Sequence, residues 1–223
     1  MKNKYVKHAH ISEAVFRRVL KLFCADVPAL TAAGLAGLSV KSTQRLYDRL
    51  RLRILDLAVE EARPFAGEVE VDESYFGARR VRGRRGRGAA GKTPVIGLLK
   101  RGGKVFAEIV ENCSKQALEP IIRGQVLSEA TVYTDGWRAY DGLVLGGYKH
   151  HRIHHHQNEF ARGKNHVNGI ESFWSFTKLR LAKLRGLRAE YFILHLKESE
   201  WRWNHRADNL YLLLLKNLRS ETL

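Results

Sequence analysis

Three short runs with strand character stand in a row, Gly67 to Phe76, Pro94 to Lys100 and Lys104 to Glu111, the last two joined by the tight turn Arg101-Gly102-Gly103. That spacing predicts a three-strand meander. Beyond it, Ser114 is placed to cap a helix through Gln125, Thr131 to Thr134 reads as a strand ending at Asp135-Gly136, and a further strand-like piece lies near His151 to His155. A helix from about His166 to Leu184 follows, its apolar stripe drawn from Ile170, Phe173, Trp174, Leu181 and Leu184, and a helical tail runs from Ala189 to Leu218. Strands first, then helix and strand in alternation, predict an α/β chain with a mixed sheet and flanking helices.

The segment before this region is helical. Val15, Val19, Leu22 and Phe23 recur at helical spacing behind Ser12, a suitable N-cap, and the first helix is expected to stop near Asp26 and Pro28. Leu30 to Leu38 is small and Gly-punctuated, and from Ser39 or Lys41 a second helix presents Leu46, Leu50, Ile54 and Leu57 on one side. Helix, tight turn and helix is the plan of a helix-turn-helix, in which Lys41, Gln44, Arg45, Arg49, Arg51 and Arg53 offer donors to phosphates and base edges. A helical hairpin that packs on the larger domain is the other reading. Pro64 and Gly67 mark the boundary, which divides the chain into a helix-turn-helix region, 1–65, and an α/β domain with a helical C-terminal tail, 66–223.

Charge narrows the choice of partner. Lys and Arg number 39 against 23 Asp and Glu, a net +16, and such a field attracts a polyanion and holds it by releasing counterions. Nucleic acid is the leading partner, double-stranded DNA if the helix pair docks as a helix-turn-helix; a basic surface kept for solubility and a membrane surface are the alternatives. No run approaches the roughly 20 apolar residues of a spanning helix, and His8, His10 and Glu13 interrupt the amino terminus, so no membrane partner and a cytoplasmic, nucleoid-associated protein are expected. Cys24 and Cys113 are too far apart for a zinc clip and too few for a disulfide scaffold. Between Arg79 and Lys92, Arg82, Arg84, Arg85 and Arg87 are among seven basic residues interleaved with glycines, a composition that cannot bury itself and suits an arm lying along a DNA groove; a solvated charge run is its alternative.

Against this basic background the acids stand out. In a strand, alternate residues share a face, so Glu68, Glu70 and Asp72 line up with neighbours roughly 7 Å apart. Like charges so placed need either a cation or nearby arginines. Asp135 closes a strand, at the end where open sheets place their sites, although Asp-Gly is also a turn pair. Glu171 lies at the margin of its helix's apolar stripe, with Lys178 two turns along the same side. Each acid alone is ambiguous. Together, a strand Asp, a strand-end Asp and a helix Glu suit phosphodiester chemistry with two divalent cations clamping the attacking and leaving oxygens.

The blocks VDESYFG (Val71 to Gly77), YTDGWRAY (Tyr133 to Tyr140) and HVNGIESFWSFTK (His166 to Lys178) resemble the three motif blocks of ISXO-like DDE transposases of bacterial insertion sequences, and the likeness runs from about Gly67 to Asn204. It implies an RNase H-like core, two Mg²⁺ or Mn²⁺ ions per site held by Asp72, Asp135 and Glu171, and Lys178 as a contact to the transposon end. Asp135 and Glu171 have 35 residues between them, similar to many of the wider DDE group. The chain departs from many relatives in having no cysteine cluster before its helix pair, which leaves end recognition to Lys41 to Arg53. Asn168 stands near the third acid, and some relatives use Asn there; Glu171 is preferred because a carboxylate offers a metal more charge than an amide. His166 is close enough in sequence either to polarise a water or scissile phosphate or simply to start the helix. The His150, His151, His154, His155 and His156 cluster reads as a basic strand and loop facing DNA rather than a metal site. The resulting expectation is a transposase that cleaves at terminal inverted repeats and joins the ends to target DNA as a homodimer or larger synaptic complex. An RNase H-fold nuclease without strand transfer and a catalytically idle DNA-binding protein are the alternatives.

Overall fold

The computed structural model describes residues 3–77, 91–135, 148–153, 168–184 and 186–223, with the backbone alone for Asp135, Arg152 and Ile153. They form two compact units, one made of Ala62–Leu179 and the other of Met1–Glu61 together with Arg180–Leu223.

The first unit is built on a five-stranded sheet. Its strands are β1 (Glu68–Phe76), β2 (Thr93–Lys100), β3 (Val105–Ile109), β4 (Thr131–Asp135) and β5 (Lys149–Ile153), in the spatial order β3-β2-β1-β4-β5. β1, β2 and β3 form the expected antiparallel meander, with Gly102 at φ +69° in the turn between β2 and β3. β4 adds parallel to β1, and β5 parallel to β4. A meander extended by two parallel strands, with helices on its faces, is the RNase H-like arrangement. β5 starts two residues earlier than the sequence pattern indicates, at Lys149, and His150 shares a side-chain hydrogen bond with Thr134 at 2.9 Å.

The two sheet faces differ. One is apolar: Val69, Val71, Ile96, Leu98 and Val132 pack with Leu118, Ile122 and Val126 of helix α4 (Lys115–Gln125) and its C-terminal flank. Ser114 caps that helix, accepting from the Ala117 N–H as expected. The opposite face carries Glu70 and Asp72, and helix α5 (Asn168–Ala182) covers it through buried Ile170, Phe173 and Trp174.

The second unit is all helical. Ser12 caps α1 (Glu13–Cys24) by accepting from the Val15 N–H. The segment expected to be a tight turn is in fact a helix, α2 (Ala29–Ala36), followed by Gly37 in the left-handed region and α3 (Val40–Glu61). Ala32, Ala33 and Ala36 are buried, so a run of small residues that looks like loop in sequence becomes a close-packed helix. The tail likewise divides into α6 (Ala189–Asn204) and α7 (Leu210–Ser220), the break set by Asn209, whose side chain accepts from the Leu212 N–H. Phe16, Leu20, Phe23, Tyr47, Leu50, Ile54, Trp201 and Leu214 share one core. The helical tail thus packs with the amino-terminal helices, a grouping set by distant apolar contacts that the linear division at residue 65 does not contain.

A buried ion-pair network lies inside that helical unit. Glu198, 1% exposed, is held by Arg51 at 2.8 Å, Arg202 at 2.9 Å and Arg180, and Arg180 also meets Asp26 at 2.9 Å. Burial alone would raise the Glu198 pKa, but Arg180, Arg202 and Arg51 outweigh it and hold the carboxyl well below the usual range. Two of the six α3 donors are therefore reassigned. Arg51 is committed to Glu198 and Asp48, and Arg53 is buried with Asn217, Glu60 and Glu221 around it. Buried guanidinium groups with carboxylate partners are not presented to DNA.

Candidate active site on the sheet face beneath helix α5

The register of the sheet arranges the acids in rows. Glu70 pairs with Leu99 on one side and Tyr133 on the other, and Tyr133 with His151. Two residues on, Asp72 pairs with Gly97 and Asp135 with Ile153. The β1–β4 register runs through Val71 opposite Thr134, so the next step carries Asp72 and Asp135 at adjacent positions on neighbouring parallel strands. Asp135 is the last residue of β4.

The sequence leaves open whether a cation or arginines relieve the acidic strand face. For two of the three acids it is an arginine. Arg101, in the turn after β2, approaches Glu70 Oε1 with Nε at 3.0 Å and Glu68 with Nη1 at 3.6 Å. Its guanidinium lies 3.7 Å from the Tyr133 ring centroid, and the Tyr133 hydroxyl donates to Glu68 at 2.9 Å. His151 stacks on the same ring at 5.2 Å. Burial, and then the hydrogen bond to Glu68, raise the Tyr133 pKa, so its phenol keeps its proton.

Asp72 has a different partner. Trp174 Nε1 donates to Asp72 Oδ2 at 3.0 Å. The indole can lie over the sheet because residue 97 is glycine: a Cβ there would come within 2.4 Å of Trp174. Phe76 and Phe173 pack on the indole at 5.9 and 5.0 Å between centroids. Helix α5 is thereby fixed by its middle, and at its start Glu70 Oε2 accepts from the Ile170 N–H at 2.9 Å. Glu171 follows Ile170 in that first turn and is exposed. Being three residues from Trp174, it stands beside it on the helix surface. Lys178, also exposed, has its ammonium 5.8 Å from the Phe76 ring centroid.

Asn168 is the first residue of α5, and its carbonyl accepts from Ser172 Oγ at 2.7 Å. Lys41, Gln44 and Arg45 are exposed on α3, Arg49 is half-buried, and Gln44 donates to Asp48. His166, Arg82, Arg84, Arg85, Arg87, His154, His155 and His156 lie outside the described residues. Among the described residues no three His, Cys, Asp or Glu side chains form a metal cage, and the Asp135 side chain is not one of them. Sequence reasoning does not single out the network of Glu70, Arg101 and Tyr133, although a lone Arg in a turn facing an acidic strand is a signal that could have found it.

Residues 64–204, which include β1 to β5 and helices α4, α5 and α6, match the family profile described as an ISXO2-like transposase domain. The chain belongs to that family. Similar proteins include a transposase-like protein of Haemophilus influenzae, 41% identical over 115 residues, which cover 52% of this chain and 93% of that protein. A protein in the transposable element ISH50 of Halobacterium salinarum is 32% identical over 181 residues, 74% of this chain, and the match spans 60% of the length of that relative. Among solved structures, the catalytic core domain of BIV integrase aligns with 70% of this chain and 99% of its own at a TM-score of 0.40 and 13% identity. For this ISXO2-like transposase domain, the fold class rests on strand order and direction. Among its described residues, no helix is long and apolar enough to cross a membrane.

Proposed function

We propose that this ISXO2-like chain is a DDE transposase that cleaves DNA at transposon ends and transfers the freed 3′ hydroxyls to target DNA, with Asp72, Asp135 and Glu171 as its catalytic carboxylates. The observation that carries the reading is the Trp174–Asp72 hydrogen bond, which ties the turn of α5 next to Glu171 to the strand position adjacent to Asp135.

The donor set suits a hard divalent cation, Mg²⁺ or Mn²⁺, since it offers carboxylate oxygens from three separate elements. Glu68 and Glu70 do not suit that role, because Arg101, Tyr133 and the Ile170 N–H already occupy them. Asp72 does: one of its oxygens is oriented by an indole N–H, as outer partners orient metal ligands. When bound, two such cations supply positive charge to the attacking and leaving oxygens of an in-line displacement. The chain's own part is to hold its carboxylates rigidly and to keep DNA in place. Lys178, along α5 from Glu171, supplies a cation for a backbone phosphate of the transposon end. Lys41, Gln44, Arg45 and Arg49 on α3, which follows α2 and a short turn as in a helix-turn-helix, contact further phosphates and bases, and Arg82, Arg84, Arg85 and Arg87 contact phosphates. Two ends must be brought together, so a second copy of the chain is part of the working complex.

The test uses a labelled duplex carrying the element's own terminal repeat. Wild type should cut it only with Mg²⁺ or Mn²⁺, and Asp72→Asn should not cut it while still binding it. Cleavage without metal, or equal cleavage by the variant, sinks the reading. A pre-cut end that is never joined to a target duplex reduces the activity to that of a nuclease.

A further inference from the structure

Glu70 is buried to 1% exposure on the same strand face as Asp72, and protein groups meet both of its oxygens. Its Oε2 accepts the Ile170 N–H at 2.9 Å, and its Oε1 meets Arg101 Nε at 3.0 Å. The first four N–H groups of a helix have no partner within it, and a charged acceptor placed there also answers the positive end of the helix dipole. Here that acceptor comes not from the local chain but from a strand 100 residues away in sequence.

The surroundings are shaped around this contact. A Cβ at residue 169 would lie 2.9 Å from Glu70 Oε2 and 3.0 Å from Leu99 Cδ2, so glycine allows the helix start to approach the carboxylate. Arg101 is in turn fixed from its other side by the Tyr133 ring. The chain of contacts Tyr133, Arg101, Glu70 and Ile170 N–H therefore runs from β4 to the residue immediately before Glu171.

We infer that Glu70 is a positioning residue, whose carboxylate clamps the first turn of α5 and so sets Glu171 for metal binding without itself touching metal or DNA. This rests on the transposase reading of Asp72, Asp135 and Glu171. It gives the acid two positions before Asp72 a role, where a further ligand would only add like charge. A carboxylate held by one arginine and one helix N–H is rigid, and rigidity of the supporting shell controls how well a ligand is presented.

Two measurements on the full chain test it, one without metal. Hydrogen exchange of the Ile170 and Glu171 amides is followed in the metal-free protein, and Mn²⁺ binding is followed by calorimetry. Glu70→Ala should speed that exchange at least about tenfold, in line with the loss of a hydrogen bond to a charged acceptor, and weaken Mn²⁺ binding by about 10- to 100-fold. Glu70→Gln keeps an acceptor oxygen and should restore both to within a few fold. Gly169→Ala leaves Glu70 in place and improves helix propensity, yet should shift both readouts in the same direction as Glu70→Ala; it also serves if Glu70→Ala fails to fold.

Unchanged exchange and Mn²⁺ affinity in folded Glu70→Ala overturn the inference. So does a Glu70→Gln protein that exchanges normally but loses Mn²⁺ as fully as Asp72→Asn, since Glu70 would then be a ligand. A wild type that binds no Mn²⁺ and cuts no DNA removes the transposase reading and this inference with it. A wild type that binds and cuts while Glu70→Ala behaves identically removes only the inference.

Discussion

Trp174 and Asp72 meet through one hydrogen bond, indole Nε1 to carboxylate Oδ2 at 3.0 Å, that joins helix α5 to strand β1 across 102 residues of sequence. Replacing Trp174 by Phe keeps an aromatic ring over Gly97 but removes the donor. Metal-dependent cleavage should fall by about 10- to 100-fold, the range for losing an outer partner of a ligand, with the metal requirement moved to higher concentration. Titrating Mg²⁺ in the cleavage assay checks this, and an unchanged curve would show that Asp72 needs no such orientation.

Gly97 leaves room for that indole. A Cβ there would lie 2.4 and 2.7 Å from two Trp174 ring atoms and 2.9 Å from Ile170 Cδ1. Gly97→Ala should therefore destabilise the sheet unit by about 1–3 kcal/mol through overpacking, measurable by urea unfolding. A stability equal to wild type would mean that the helix shifts at little cost.

Glu198 holds three guanidinium groups in the helical unit. Glu198→Ala leaves Arg51, Arg180 and Arg202 facing one another in a buried space, and should cost about 3–5 kcal/mol. Denaturant unfolding followed by tryptophan fluorescence would report it, since Trp201 lies in the core of the same unit. A loss below about 1 kcal/mol, the level of a surface pair, would contradict the burial of this network.

His195 should make stability pH-dependent. Burial first, and then the charge of Arg51, lower its pKa from 6.5 to about 4, so the folded chain takes up this proton less readily than the unfolded chain. Its contribution is thus fully present above pH 6.5 and is lost as pH falls toward 4, by up to about 3 kcal/mol. Thermal unfolding between pH 7 and 4.5 should decline less steeply in His195→Asn than in wild type. Parallel profiles would refute the assignment.

The basic residues Arg82, Arg84, Arg85 and Arg87 are predicted to act through phosphates alone. Changing all four to Ser should weaken binding to any duplex and reduce the slope of log K against log salt by about 0.9 for each phosphate that is no longer neutralised. A slope equal to wild type would make the arm a bystander.

Where local pattern suffices, sequence and structure agree. Ser12 and Ser114 mark the starts of α1 and α4 because a cap is a bond between residues three apart. The Arg101-Gly102-Gly103 turn and the alternation of faces along β1 likewise depend on neighbours. Leu30 to Leu38 reads as a turn because Gly34 and Gly37 punctuate a run too short to hold a helix by itself, although its alanines favour one; packing on α3 buries those alanines and stabilises the helix. Arg51 and Arg53 read as DNA donors for a related reason: an arginine's partner is decided by residues as distant as Glu198 and Asn217.

Asp72, Asp135 and Glu171 can be nominated from the sequence only together: each is ambiguous by strand or helix period alone, and the three motif blocks that hold them single them out. Periodicity alone also fixes which acids of β1 share a face. Their division of labour is decided only by tertiary structure, since Glu68, Glu70 and Asp72 are equivalent by alternation. Sheet register brings Arg101 and Tyr133 to the first two, and helix α5 brings Trp174 to the third. Alternation is a property of one strand, whereas the charge or hydrogen bond that each carboxylate meets depends on which distant segments pack above it.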